Sequence, residues 1–204
     1  MTGYNSIPHD DLLKRRADWI SPSNSGGDYR NNPPAADGRK VILIDTDHLW
    51  GEGGDPGWVW KSFTRGLHPI WMERIKLAAS DLPQAEAIRK AMGQTRRLAE
   101  RVNLAALVPH PELASTGYCL AHPEQEYIVY LPEGGEVTLN LSAVAGTLAV
   151  EWIHPVDGTM TPGGSIEGAV RRLLKAPFTG AAAAYLKAQK IPERPAERIP
   201  ESKP

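Results

Sequence analysis

The stretch KVILIDTDHLWG, residues 40–51, joins a short apolar run directly to a group of polar side chains. The apolar run is nearly continuous and rich in β-branched residues, which predicts a strand buried on both faces, as in a parallel sheet. Asp45, Asp47 and His48 follow at once, so we expect them at the carboxyl end of this strand. The stretch therefore predicts a strand that ends in a cluster of three polar side chains.

Outward from this strand, helix and strand signals alternate. Pro56 can open a helix at its first turn, and residues 57–66 continue that helix as far as Gly66. Residues 68–72 are typical of a second short strand. A second helix is expected over residues 83–102, because apolar residues recur there at intervals of three and four. The order strand, helix, strand, helix is typical of parallel α/β units.

Beyond residue 104 the apolar residues alternate with polar ones instead of following a helical period. The segments 126–131, 136–141 and 147–153 show this alternation, and turn-forming residues separate them at short intervals. Several short strands at that spacing predict a small antiparallel β-sandwich, with residues 181–187 as its last strand.

These signals divide the chain into four parts and predict an α+β fold. Residues 1–39 carry turn formers without periodicity and are expected to be a long loop. Residues 40–104 form the βαβα piece, and residues 105–187 form the sandwich. Residues 188–204 are proline-rich and charged, and are expected to be disordered. The βαβα piece leaves sheet edges uncovered, so it needs a cover from elsewhere.

Composition excludes several classes of partner. The chain has 204 residues, a formal net charge of −1 and no strongly basic or acidic block, which argues against nucleic acid and anionic membranes as partners. No stretch approaches the roughly 20 apolar residues of a membrane span. The first residues lack the apolar core of a secretory signal, so the default expectation is a cytoplasmic protein. Cys119 is the single cysteine and is expected to be a buried thiol.

The chain resembles the carboxyl-terminal part of an apiosidase-like glycoside hydrolase family. The resemblance rests on three stretches taken together, DTDHLWG (45–51), WVWKSFTRGLHPIWM (58–72) and STGYCLAHPEQEYIVYLPEGGEVTLNLSAVAGTLAVEWIHPVDG (115–158), and runs from about Ala17 to Lys187. Members of that family have a (β/α)8 barrel followed by a β-sandwich that is named a collagen-binding domain.

The resemblance implies that residues 40–102 are the last two βα units of an eight-unit barrel. Because barrel active sites lie at the carboxyl ends of the strands, Asp45, Asp47 and His48 would belong to the catalytic rim. The family nucleophile would lie at Asp45 or Asp47. Glycoside hydrolysis also needs a second carboxyl group, which in the family comes from an earlier strand outside this chain. A truncated relative of this kind is not expected to be catalytic alone.

Each candidate residue also has a structural interpretation. Asp45 and Asp47 could cap the strand end through Asx turns, or match the D-x-D pattern of metal-dependent glycosyltransferases. His48 and His68 could be metal ligands, an acid/base pair or hydrogen-bonded structural residues, and the last is favoured because no third ligand stands at metal spacing. No metal site and no cofactor is therefore predicted.

Aromatic residues are candidates for sugar stacking. The flat faces of Trp50 and Trp58 could pack on a sugar ring, although Trp58 and Trp60 diverge on one helix and at least one should lie in the core. In the sandwich, alternation puts Tyr127 and Tyr130 on opposite faces, so one of them could be exposed. The full set of sandwich aromatics considered as a carbohydrate surface is Tyr118, Tyr127, Tyr130 and Trp152.

Three functional hypotheses follow. The first and favoured one is a truncated glycoside hydrolase relative whose accessory sandwich packs on the barrel and could touch carbohydrate. The second is a hydrolase that is active only with a barrel-bearing partner chain. The third is a stand-alone carbohydrate- or collagen-binding module.

Overall fold

The computed structural model describes residues 9–22, 28–49, 53–72 and 84–189. The elements of its first part are α1 (His9–Leu13), β1 (Trp19–Ile20), β2 (Val41–Asp45), α2 (Thr46–Leu49), α3 (Pro56–Thr64), β3 (His68–Ile70) and α4 (Ala85–Arg101). The second part contains β4 (Val108–Pro109), β5 (Cys119–His122), β6 (Glu126–Leu131), β7 (Glu136–Asn140), β8 (Thr147–Ile153), β9 (Met160–Glu167), β10 (Arg171–Lys175) and β11 (Ala182–Ala188). Among the described residues, no helix is long and apolar enough to span a membrane.

The first part is built on a three-stranded parallel sheet with the order β1-β2-β3. One face of this sheet is buried, since Ile20, Ile42 and Ile44 are at most 2% exposed. The register places a second set of side chains on the opposite face: Trp19, Val41, Leu43, Asp45, His68 and Ile70.

That opposite face is open. Trp19 is 39% exposed, Val41 48% and Ile70 37%. The prediction of a strand buried on both faces is therefore wrong for β2, whose residues alternate between buried and partly or fully exposed. An apolar run shows that a strand could be buried on both faces. In the described part of the chain, no segment packs on the second face of β2.

The helix α3 begins and ends for local reasons. In α3 the Asp55 carboxylate accepts a hydrogen bond from the Trp58 amide at 2.9 Å, and Pro56 occupies the first turn. Gly66 follows the helix with φ 72°, and a side chain there would come within 2.9 Å of Pro109. The helix α4 matches the expected 83–102 within two residues. It buries one face, formed by Ala85, Ile88, Ala91, Gln94, Thr95 and Leu98.

The segment 1–39 is more ordered than a long loop where it is described. It contains α1 and the strand β1, which pairs in parallel with β2. Leu12 and Tyr29 belong to the buried core, at 1% and 0% exposure. The two-residue strand was missed because its pairing is imposed by β2 and leaves no periodic signal in the sequence.

The sandwich stacks a six-stranded sheet on a two-stranded one. The larger sheet has the order β4-β5-β6-β11-β8-β9, and the smaller pairs β7 with β10. The predicted segments 126–131, 136–141 and 147–153 correspond to β6, β7 and β8 within one residue. The strands β4, β5, β9 and β10 were not predicted. Of these, β9 carries Pro162, Gly163 and Gly164, which are turn signals in the sequence.

The aromatic residues of the sandwich are buried on both faces of the large sheet. Tyr127 and Trp152 point into the sandwich core, whereas Tyr118 and Tyr130 belong to the cluster shared with the first part of the chain. None of the four is more than 8% exposed. They therefore provide no carbohydrate-binding surface in this chain.

The two parts are joined by one hydrophobic cluster that includes α3 and the outer face of the six-stranded sheet. Trp60 is fully buried there, stacks on Tyr130 with ring centroids 5.9 Å apart, and donates from Nε1 to the Pro155 carbonyl at 2.8 Å. Arg101 of α4 adds an ion pair with Glu151 and lies over the Tyr185 ring at 5.4 Å. The sandwich thus packs firmly on the helices of the first part.

We predict that Trp60→Ala lowers the free energy of unfolding by about 3–5 kcal/mol, because it opens a large cavity at this junction. The matched control Leu173→Ala, at a side chain that is 65% exposed, should change it by less than about 0.5 kcal/mol. Urea denaturation followed by tryptophan fluorescence and circular dichroism measures both values. Equal effects of the two substitutions would contradict the buried junction.

Candidate functional site

The candidate site lies where β1 and β2 end. Because the two strands are parallel and in register, Ser21 follows β1 at the same edge of the sheet where Asp45 ends β2. The short helix α2 starts directly after Asp45 and carries Asp47 and His48. The structure therefore brings the three predicted rim residues together and adds a serine.

Asp45 is held by two different segments of the chain. Its Oδ2 accepts a hydrogen bond from the Ser21 hydroxyl at 3.0 Å, and its Oδ1 accepts one from the His48 backbone amide at 2.9 Å. The His48 imidazole Nδ1 lies 3.3 Å from the same Oδ2. The side chain of Asp45 is 14% exposed. Asp45 thus fixes the start of α2 to the ends of β1 and β2.

The contacts of His48 exclude a hydrolase relay among these side chains as they stand. In a Ser-His-Asp relay, serine and carboxylate bond to different nitrogens of the imidazole. Here Ser21 Oγ, at 3.2 Å, and Asp45 both approach the same Nδ1 of His48. The arrangement therefore orients the ring and does not activate the serine.

Asp47 differs from Asp45 in being exposed to solvent. Asp45, Asp47 and His48 each offer one potential ligand atom, and these atoms lie within 4.8 Å of one another. Such a group of oxygen and nitrogen donors could approach a divalent cation. Asp45 and Asp47 are two residues apart at one strand end, whereas the two carboxyl groups of a glycosidase flank the scissile bond.

The remaining predicted site residues are placed elsewhere. Trp58 is 1% exposed and donates from Nε1 to the Tyr29 carbonyl at 3.1 Å, so it is a core residue with no face free for a sugar. Trp50 lies outside the described residues. His68 is paired with Leu43 at the amino end of β3, and partial desolvation lowers the pKa of its imidazole. His68 therefore does not form a pair with His48 at the rim.

Ser21 is the functional candidate that the sequence did not reveal. It is only 7% exposed, and its hydroxyl connects the two acceptor-bearing side chains of the site. The available signal was its position after a strand that runs parallel to β2. That signal is invisible unless the two residues of β1 are first recognised as a strand.

We predict that Asp45→Ala lowers the free energy of unfolding by about 2 kcal/mol, since it removes a helix cap and takes the carboxylate acceptor away from Ser21. Asp47→Ala is the matched control and should change it by less than about 0.5 kcal/mol. Asp45→Asn keeps an acceptor for the His48 amide and should cost less than about 1 kcal/mol. Equal losses for Asp45→Ala and Asp47→Ala in urea denaturation would contradict this hydrogen-bonding scheme.

The sandwich resembles a known domain family. Residues 107–183 match a family model described as "Putative collagen-binding domain of a collagenase". No curated protein matches the chain. The family match includes the strands β4 to β10 and the first two residues of β11, which is nearly the whole sandwich.

Solved structures resemble almost the whole chain. One, titled "Glycoside hydrolase", aligns with a TM-score of 0.57 and 11% identity over 90% of this chain and 51% of its own. Another, a glycoside hydrolase family 5 protein from Bacteroides vulgatus, aligns with a TM-score of 0.62 and 12% identity over 85% of this chain and 52% of its own. The chain therefore shares a fold with glycoside hydrolases and spans about half of their length.

Proposed function

We propose that this chain is the C-terminal part of a glycoside-hydrolase-like protein, with β1 to β3 and their helices belonging to a (β/α)8 barrel. The observation that carries the proposal is the meeting of Ser21, Asp45 and His48 at the carboxyl ends of parallel strands, which is where barrel enzymes hold their active sites. The fold shared with glycoside hydrolases over half of their length supports it. We also propose that this protein is of the apiosidase-like subtype.

The rim residues would divide the chemistry between them. Asp45 or Asp47 would be the carboxylate that attacks the anomeric carbon or stabilises the positive charge that develops there. A second carboxyl group would protonate the departing oxygen. Ser21 and His48 would keep Asp45 oriented through the contacts they make with its Oδ2. Trp50 remains the candidate for stacking on the sugar ring.

The general acid and the cleft walls would come from earlier barrel strands. Among the described residues, the open face of the β1-β2-β3 sheet, with Val41 48% exposed, gives no enclosure for a sugar ring. A rim carboxylate that is open to water lacks the second carboxyl group that would protonate the leaving group. It also lacks the cleft contacts that would distort the substrate. The 204-residue chain is therefore expected to be inactive alone.

In this proposal the sandwich is an accessory module that braces the barrel. Its large sheet covers α3 through Trp60 and Tyr130, and its junction also includes Arg101 of α4. Because the outer face of its large sheet is buried against α3, the module can contact a substrate only through its other surfaces.

The test is hydrolysis of a panel of 4-nitrophenyl glycosides by the purified chain. We expect release of 4-nitrophenol no faster than with the double variant Asp45→Asn, Asp47→Asn, whose fold is checked by circular dichroism. Release that is clearly above background and lost in the double variant would show that the chain is a complete enzyme, contrary to the proposal.

A second candidate function is a carbohydrate- or collagen-binding module, favoured by the family match over residues 107–183. The outer face of β7 and β10 is an exposed sandwich surface that a ligand could contact, with Leu173 65% exposed between Arg171 and Lys175. Under this hypothesis the full chain should sediment with collagen fibrils or insoluble polysaccharide, and Leu173→Asp should abolish this. Met160→Asp, at another exposed apolar residue, is the control and should have no effect. Failure of the unmodified chain to sediment with either material counts against the module.

A further inference from the structure

A small cleft lies between α4 and the hairpin of β8 and β9. It has a volume of about 150 Å³, and its lining includes Leu98 of the helix and Ile153 of the sheet, which are 2% and 5% exposed. Met160, at the start of β9, adds a third apolar side chain. None of the lining residues belongs to the rim at Asp45. The cleft is therefore a separate feature of the junction between the two parts of the chain.

The walls of this cleft are held by a close contact between the hairpin loop and the helix. Gly158 of the loop has φ 75°, and a side chain there would come within 2.3 Å of the Gln94 side chain. Gln94 is itself only 9% exposed. Loop and helix therefore touch at Gly158 and Gln94, whereas the space beside Leu98 and Ile153 is left open.

Two guanidinium groups line the same cleft, and they differ in their partners. Arg101 forms an ion pair with Glu151 and lies over the Tyr185 ring at 5.4 Å. Arg97 donates from Nη1 to the Gln94 amide oxygen at 3.0 Å, and among the described residues no carboxylate pairs with it. A guanidinium group binds a carboxylate through two parallel N–H donors. Arg97 thus places a positive charge without a carboxylate partner beside an apolar surface.

The size and the chemistry of the cleft together define a class of ligand. An apolar cavity of about 150 Å³ can hold one benzene ring. The side chains of Leu98 and Ile153 favour an apolar group, and the thioether of Met160 packs well against an aromatic ring. A carboxylate attached to such a group would lie at the mouth of the cleft, where Arg97 is exposed.

We propose that this cleft binds a small apolar carboxylate, with its hydrocarbon part against Leu98, Ile153 and Met160 and its carboxylate on Arg97. The ligand touches α4 and the β8–β9 hairpin at the same time, so its binding stabilises the junction between the two parts. This site is independent of the proposed function, because it shares no residue with the rim.

The test is a titration of the purified 204-residue chain with sodium benzoate, followed by NMR of the methyl groups. We expect saturable shifts of the Leu98 and Ile153 methyl signals with a dissociation constant of about 1 mM or below. The methyl signals of Leu173, on the smaller sheet, should not move. Benzyl alcohol keeps the ring without the charge, and acetate keeps the charge without the ring, so each should bind about tenfold more weakly or worse.

Arg97→Gln removes the cation and should weaken benzoate binding by about tenfold. Arg96→Gln is the matched control, because it makes the same change of charge one residue away, at a side chain that is 81% exposed and pairs with Glu100. It should leave the dissociation constant unchanged.

Three outcomes would each overturn the proposal: no saturable shift at Leu98 and Ile153, equal weakening by Arg97→Gln and Arg96→Gln, or equal binding of benzoate and benzyl alcohol. Shifts of the same size at Leu173 would show non-specific contact and would also count against it. The comparison of benzoate with benzyl alcohol uses the unmodified chain, so it decides the question even if Arg97→Gln fails to fold.

Discussion

The packing of α3 against the outer face of the six-stranded sheet is the interaction on which the rest of the structure depends. A three-stranded parallel sheet with two long helices has too little apolar surface of its own to form a closed core. The six-stranded sheet supplies the missing cover, and its Tyr130 stacks on Trp60 of α3 with ring centroids 5.9 Å apart inside the shared cluster. The sandwich is therefore a structural element of the first part and not a domain tethered to it.

The polar site depends on this packing through the strands. Burial of Ile42 and Ile44 on the helix side fixes the face on which Asp45 emerges, because side chains alternate along a strand. Asp45 then joins Ser21 and the start of α2 through hydrogen bonds of 3.0 and 2.9 Å. The open face that remains is the place where the site lacks walls. The same packing therefore leaves the β1-β2-β3 sheet buried on one face and exposed on the other.

Sequence patterns predicted the elements that carry their own periodicity. The helix α4 and the strands β6, β7 and β8 follow from apolar spacing, and the start of α3 follows from Pro56. The strands β1 and β9 were missed because one has two residues and the other contains adjacent glycines at Gly163 and Gly164. The packing of α3 on Tyr130 could not be predicted. The period of a strand shows which residues share a face, but it does not show which segment packs on that face. In the site, Asp45, Asp47 and His48 were found by their adjacency in sequence, whereas Ser21 is near them only in space.

The position of β11 in the six-stranded sheet has a consequence for biosynthesis. Residues 182–188 lie between β6 and β8, although they come last among the strands in the chain. Neither half of that sheet can be joined to the other until this segment has left the ribosome, because pairing of β11 with both neighbours is what connects them. Since Ala183 and Tyr185 of β11 also belong to the shared cluster, the helices made earlier must wait with apolar surface exposed to solvent or to chaperones.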